Sequence, residues 1–387
     1  MAIRRHGTGE AVLFLLFFVV IFGYLGYHMG LANLSGTIMS TAHDILLNTV
    51  FFIMAITVLT GALGKLMIEF GVIGLLEKIL APFIKPLFGL PGVAALGALV
   101  TFFSDNPAII ALAHDKKFTN YFKEYQLVSL VNFGTAFGMG LIVLTFMIGQ
   151  GFVAPAFIGL AGAVVGGAIS TRTMQFLIRN RMPAPVQPSA AAAVEVAESS
   201  PGTDAGLQKG NENLFLRILN AMLDGGKSGV ELGLAIIPGV LIITTFVMMF
   251  VFGPSDPSVG YQGLAYEGVP LLRQLGETLS WFFRTLFGFQ APELIAFPMT
   301  SLGAVGAAIS LVPEFVSRGI VTGNDIAVLT AMGMCWSGFL STHTAMLDAL
   351  GFRKLTSKAI ISHTLGGLGA GVFAHFAYVG LSMVFGW

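Results

Sequence analysis

The stretch TFFSDNPAIIALAHD, residues 101–115, sets Ser104, Asp105, Asn106 and Pro107 inside an otherwise apolar run. A hydroxyl, a carboxylate and an amide at successive positions can ligate a cation or hydrogen-bond a polar solute. A carboxylate in so apolar a segment is costly enough to point to such a role. Pro107 lacks an N–H and disfavours helix at Asn106. The spacing predicts two half-helices joined at 104–106, the second opening near Pro107 with its free N–H groups and positive dipole end at the tip. Helix capping by Asp105 is the plainer reading of the same residues, and the two roles are compatible. A second broken segment, PELIAFPMTSLGAVGAAISLVPEF, carries Pro298, Thr300, Ser301 and Gly303 where its helix opens, and no acid there. One tip is expected to supply charge, the other hydroxyl and backbone groups.

Two more segments add polar faces. SLVNFGTAFGMG offers Ser129, Asn132 and Thr135 at i, i+3 and i+6, and MCWSGFLSTHTAMLD offers Ser337, Ser341, Thr344 and Asp348 at helical spacings. Stripes of this kind either line a solute path or pack helices through small polar residues. His343 sits off the second stripe. With His363 and His375 it forms a candidate proton relay, or a set of structural hydrogen-bonders. The expected solute site is therefore Ser104, Asp105, Asn106, Asn132, Thr135, Thr300, Ser301, Ser337 and Ser341. Asp105, His343 and Asp348 are the candidates for coupling to Na+ or H+. No metal site, cofactor or catalytic set is expected.

These residues need elements to hold them, and composition says which kind. The chain has 387 residues, 55% hydrophobic and 10% charged, with a mean hydropathy of +0.83. A soluble domain carries about 25% charged residues, so this surface belongs in a bilayer. A formal net charge of +0 gives no pull toward nucleic acid. The single cysteine, Cys335, excludes an intrachain disulfide and a cysteine-rich metal site. Seven stretches are long and apolar enough to span: residues 11–29, 45–63, 127–148, 152–169, 232–252, 326–346 and 359–385. Residues 93–113 and 294–312 are long enough but broken. The first stretch reads as a retained helix rather than a signal peptide, because its apolar core is long and no small-x-small site follows.

Basic residues mark the cytoplasmic side. Arg4 and Arg5 place the N-terminus inside, Arg353, Lys354 and Lys358 do the same for the loop before the last helix, and Arg172, Arg179 and Arg181 for the linker after the fourth span. These constraints agree only if 93–113 enters and leaves on one side. The linker itself, PAPVQPSAAAAVEVAESSPGTDAGLQKGNEN, has no apolar periodicity and reads as a disordered cytoplasmic tether over 181–213.

The parts on either side of the linker resemble each other. LFGLPG at Leu87 meets LFGFQAP at Leu286, an offset of 199, at which Thr101 meets Thr300, Leu127 meets Ile326, Gly134 meets Gly333 and Phe137 meets Trp336. Each part reads as a span, an amphipathic stretch, a broken segment and two spans, and the topology inverts one copy against the other. The expected fold is thus an all-α polytopic membrane protein of two inverted repeats, each with a re-entrant hairpin and an amphipathic interfacial helix, and about seven full spans. Residues 1–43 hold the N-terminal transmembrane helix, 44–180 the first repeat with hairpin 92–115, and 214–387 the second with hairpin 291–316. Inverted, discontinuous segments are an architecture of secondary transporters.

DGGKSG, residues 224–229, fails as a phosphate loop because Ala221 stands where glycine is required. No H-E-x-x-H, nucleophile elbow or metal-spaced Cys/His motif is present. LLEKILAPFIKPLFGLPG leading into ALVTFFSDNPAIIALA, the helix NFGTAFGMG, and the repeated LFGFQAPELIAFPMTS make the chain resemble membrane proteins with a nucleoside-recognition (Gate) domain. That group is related to the concentrative nucleoside transporters, the membrane part of the ferrous-iron transporter and the spore-maturation membrane proteins. The resemblance implies two inverted halves around a central solute site in a prokaryotic cytoplasmic (inner) membrane.

The leading expectation is a secondary transporter, not an enzyme, for a small polar solute, neutral or zwitterionic. Its partners would be that solute and the bilayer, with no nucleic acid; a homo-oligomer is compatible with this. A divalent metal permease using Asp105 and Cys335 is the alternative, although hard oxygen groups dominate the site. A membrane scaffold or lipid-modifying protein using Asp105, His343 and Asp348 is a third.

Overall fold

The computed structural model describes residues 8–106, 108–114, 116–180, 182 and 213–386. Pro107 and almost all of the expected linker 181–213 lie outside the described residues. Helix dominates throughout, and the protein is an all-α polytopic membrane protein. Six helices among the described residues are long and apolar enough to cross a bilayer.

The first, α1 (Thr8–Met29), has Val12 through Val20 exposed on every side, as a helix standing in lipid would. A continuous helix follows, α2 (Leu31–Asp44) passing through a π-turn at Ile45–Val50 into α3 (Phe51–Glu69). Next comes α4 (Val72–Phe88), which buries Ile73, Ile84 and Phe88 and exposes Leu75, Ile79, Phe83 and Leu87 along one i, i+4 row. That exposed apolar row suits a helix lying against lipid. Gly89, at φ 69, ends it.

The first broken segment is α5 (Ala94–Phe103), a non-helical tip at Ser104–Asn106, and α6 (Ala108–His114), followed by the single turn α7 (Lys116–Thr119). After it, α8 (Glu124–Thr135) and α9 (Gly140–Gly149) form one span interrupted at 136–139, and α10 (Val153–Ile178) is unbroken. Beyond the linker, α11 (Leu214–Gly239) continues through a π-turn at Val240–Thr244 into α12 (Thr245–Met248).

The amphipathic pair α13 (Leu271–Thr278) and α14 (Ser280–Phe287) occupies 271–287, as α4 occupies 72–88, the offset of 199 seen in the sequence; Gly288, at φ 72, ends it. The second broken segment opens with a 3-10 turn, Pro292–Ile295, and continues as α15 (Ala296–Ser301), α16 (Val305–Ile309) and α17 (Val312–Ser317). The last spans are α18 (Gly323–Trp336), α19 (Phe339–Ala349) and α20 (Thr356–Phe385). The expected continuous span 326–346 is therefore two helices. Ser337 at φ 33 and Gly338 at φ 72 leave right-handed helical geometry and break it, a departure that hydropathy does not register.

Two packing features hold the site in place. The main core, around the fully buried Phe133, Phe146, Phe297, Phe315 and Phe339, joins residues from both sides of the linker in one cluster. Separately, α3 and α11 cross with backbones in contact. A Cβ on Gly61 or Gly225 would enter the other residue's carbonyl oxygen, and one on Gly229 would enter that of Thr57. Thr57 Oγ1 donates to Gly229 O at 2.8 Å across the crossing.

The loop after α12 folds back on α2. Its organiser is Glu267, fully buried, which accepts hydrogen bonds from the backbone N–H of Ser255 at 3.1 Å, Gln262 and Gly263 at 2.9 Å, and Leu264 at 3.2 Å. Burial alone would raise the Glu267 pKa; the four N–H donors outweigh it and hold the carboxyl below its ordinary value.

Candidate functional site

Four helix interruptions converge: the tips at 104–106 and 302–304, and the breaks at 136–139 and 337–338. Between them lies a cavity of about 210 Å³ lined by Asp105 and Asn106 from the first tip and by Gly303 to Ala307 from the second. Ser337, Gly338, Ser341 and Thr342 form another wall, with Met139, the α11 residues Ala235, Ile236 and Gly239, and Val240 of the π-turn after α11 completing it. Asp105 is the one ionisable side chain among these lining residues. The chemistry on offer is one carboxylate among hydroxyl, amide and backbone groups.

Each wall is held by specific bonds. Ser104 leaves helical geometry at φ −132, ψ −115, and its hydroxyl donates back to Val100 O at 2.6 Å. Asp105 Oδ1 accepts from the N–H of Asn106 at 2.7 Å, while the backbone carbonyls of Asp105 and Asn106 accept from Ala108 and Ile109 and start α6. Local stabilisation of the tip by Asp105 is thus real, and the side chain also lines the cavity. Asn106 Nδ2 donates to Ser337 O at 2.7 Å, and its Oδ1 is buried without a partner among the described residues. Gly138 has to be glycine, because Asn106 Oδ1 occupies the place of its Cβ. Ser337 Oγ donates to Gly138 O at 3.1 Å, joining residues 199 apart in the chain. Equivalent positions of the sequence repeat are in direct contact here.

The second tip is tied to the same place through backbone. Gly338 N–H donates to Ser301 O at 2.8 Å and Leu340 N–H to Leu302 O at 3.3 Å. Its hydroxyls are committed elsewhere: Thr300 Oγ1 donates to Ala296 O at 2.7 Å and Ser301 Oγ to Pro298 O at 2.8 Å. Thr300 instead borders an apolar recess of about 380 Å³ with Phe246, Phe250 and Met299.

Of the nine expected site residues, Asp105, Asn106, Ser337 and Ser341 line the cavity. Ser104 supports the tip. Asn132 and Thr135 lie in a separate buried cluster. Asn132 Nδ2 donates to Ser170 Oγ at 2.9 Å, Ser362 Oγ at 3.0 Å and Ala359 O at 3.1 Å, tying α8 to α10 and α20. Thr135 Oγ1 donates to Val131 O at 2.8 Å and touches Met346 Sδ.

Among the coupling candidates, His343 is fully buried beside that cluster, and Asp348 is partly exposed near the end of α19. His375 is set apart, with Nδ1 donating to Asn324 Oδ1 at 2.7 Å. Cys335 is buried outside the cavity lining. Sequence reasoning placed Gly303 at the second tip without counting it among the site residues, and missed Gly138, Met139 and the wall of Ala235 to Val240. The repeat offset could have found Gly138 opposite Ser337. No comparable signal marks Ala235 to Val240.

No family model matches the chain, and no curated protein matches it in sequence. The fold is nevertheless shared with solved structures of CNTnw, a concentrative nucleoside transporter. An outward-facing form of a variant superposes with a TM-score of 0.53 at 14% identity, covering 97% of this chain and 86% of that one. The inward-facing, substrate-bound form gives 0.51 at 15%, covering 95% and 85%. A variant in an intermediate state gives 0.52 at 14%, covering 88% and 81%. At these identities the likeness is one of fold.

Proposed function

We propose that the protein is a secondary active transporter that carries a small polar solute, neutral or zwitterionic and of nucleoside-like chemistry, with Na+ or H+ as coupling ion. The observation that carries this reading is the convergence of four helix interruptions, paired at one repeat offset, on a single cavity whose lining holds one carboxylate and no cation. Freed backbone groups at membrane depth are tolerated where they line a cavity or are buried in protein. A lone carboxylate among neutral donors and acceptors suits an uncharged or zwitterionic guest better than an anion. The two broken segments enter and return on opposite sides, with the N-terminus in the cytoplasm, and the cavity opens alternately as the tips move. The shared fold with a nucleoside transporter sets the first solutes to try.

The test is ligand-dependent thermal stability of the purified full chain. A bound solute at a hundred times its Kd adds about 2.7 kcal/mol to stability. Uridine, cytidine or adenosine should raise the midpoint in a saturable way, with nucleotides, which are anions, failing to do so. A response confined to divalent metals or to lipids would overturn the reading.

A further inference from the structure

The buried cluster beside the cavity contains two histidines in contact, and their hydrogen bonding differs. On α20, His363 Nε2 lies 2.6 Å from Cys335 O, and a carbonyl only accepts, so this nitrogen carries the proton. Its Nδ1 is therefore the acceptor, taking the Ser170 hydroxyl proton at 2.7 Å. Ser170 Oγ in turn accepts from Asn132 Nδ2. His363 is thereby fixed as one neutral tautomer with both nitrogens satisfied.

His343 is the opposite case. It is 0% exposed, and neither ring nitrogen has a hydrogen-bond partner among the described residues. Its ring lies 4.5 Å from that of His363 and 5.6 Å from that of Phe339. Buried polar groups are almost always partnered, so a ring with two orphaned nitrogens calls for an explanation. Asn132 Oδ1, in the same cluster, is orphaned as well.

Position supplies the explanation. His343 follows Ser341 and Thr342, which line the solute cavity, on the first helical turns after the Ser337–Gly338 break. Any tilt of α19 that reshapes the cavity wall also moves this ring. Among the elements packed on α19, the titratable group facing His343 is His363 of α20. The formally charged side chains of those elements are Asp348 of α19 itself, Lys358 of α20, whose Nζ donates to Leu177 O, the exposed Glu124 of α8, and the exposed Arg353 and Lys354 of the turn before α20. None of these forms an ion pair with the ring.

We infer that His343 and His363 form the proton-binding site of the transport cycle, with His343 taking up one H+ on a free ring nitrogen and returning it from the same nitrogen. The inference rests on the transporter reading and names H+ as its coupling ion. Two imidazolium rings at this separation would repel, so the pair holds one proton and not two. His363 is already fixed as donor and acceptor, which leaves His343 as the ring that changes state.

The test uses the full chain in proteoliposomes, with uridine as probe, and in nanodiscs with 15N-histidine. Because neither His343 nitrogen is bonded, His343→Phe should fold and be at least as thermostable as wild type. It should still exchange labelled for unlabelled uridine but lose pH-gradient-driven accumulation by at least tenfold. In wild type, the 15N signals absent from His343→Phe should move from neutral to doubly protonated on acidification within the range where the chain stays folded. Wild-type accumulation by His343→Phe would overturn the inference, as would a His343 ring that stays neutral through that whole range. If His343→Phe fails to fold, His343→Gln supplies the assignment and the NMR result decides. If wild type exchanges none of uridine, cytidine and adenosine, the nucleoside reading fails while the NMR titration still decides the proton site.

Discussion

The tips of the two broken segments do the same structural job with different chemistry. At 104–106 three polar side chains project from the break, one of them charged, and Asn106 reaches across to Ser337. At 302–304 the residues are Leu, Gly and Ala, and the tip is fixed by backbone carbonyls that accept from Gly338 and Leu340. A tip built from side chains can discriminate between guests and carry charge. A tip built from backbone can close over a guest without adding specificity of its own. Under the transporter reading proposed above, this division assigns recognition to the first tip and closure to the second, and it can be broken one residue at a time.

Gly138→Ala should have the largest effect. Its new Cβ would take the position of Asn106 Oδ1, forcing the tip off Ser337. Overpacking of this kind costs about 1–3 kcal/mol or more, so both thermal midpoint and uptake should fall sharply; wild-type uptake would show that the Asn106 contact is dispensable.

Next comes Asp105→Asn, which preserves the volume and an acceptor for the Asn106 N–H while removing the charge. Ion-dependent uptake should drop at least tenfold, with folding intact by size-exclusion profile and thermal midpoint. Unchanged uptake would leave the carboxylate with its local backbone bond alone.

Glu267→Gln sharpens the comparison from outside the cavity, since this carboxylate belongs to the second half and organises only a loop. Its folded pKa is lowered, so its contribution to stability is full above the unfolded value, about 4.3, and is lost as pH falls through the folded value. Wild type should lose thermal stability on that acid side. The variant should start lower at pH 7, lose less on acidification, and keep its solute affinity; an affinity loss as large as that of Asp105→Asn would contradict the assigned roles.

Gly303→Ala should have the smallest effect, because the added Cβ meets only Thr300 O, at 3.7 Å. A midpoint within about 0.5 kcal/mol of wild type is expected. A large loss of stability there would show the second tip to be as tightly constrained as the first.

Much of this arrangement was legible in the sequence. SDNP announced a helix break in an apolar segment, because a charge and a proline cannot be reconciled with continuous lipid-facing helix. The 199-residue offset gave both amphipathic stretches and both tips their places. The break at Ser337–Gly338 was not legible, since a left-handed backbone at a serine leaves no trace in hydropathy. Asn132 shows a different limit. Its stripe was correctly polar, but a polar residue on a buried helix serves packing or a cavity equally well, and only the neighbours Ser170 and Ser362 decide. Asn132→Ala is now expected to loosen the joint of α8, α10 and α20. The histidines show a related limit: the sequence offered His343, His363 and His375 as one group, but only His343 and His363 meet, through the turn between α19 and α20, whose geometry no periodicity encodes, while His375 bonds Asn324 instead.

The glycine crossing of α3 and α11 sets a rule for motion. With carbonyl oxygens lodged where side chains would otherwise stand, the two long helices cannot creep past one another by small increments, because the first Cβ to arrive would strike backbone. Small residues recur on α11 at Ala221, Gly225, Gly229 and Gly233, one every four residues and about 6 Å of helix rise apart. A slide shorter than that spacing would bring side chains against backbone at this crossing, so small relative movements of the two helices would have to be taken up elsewhere in the molecule.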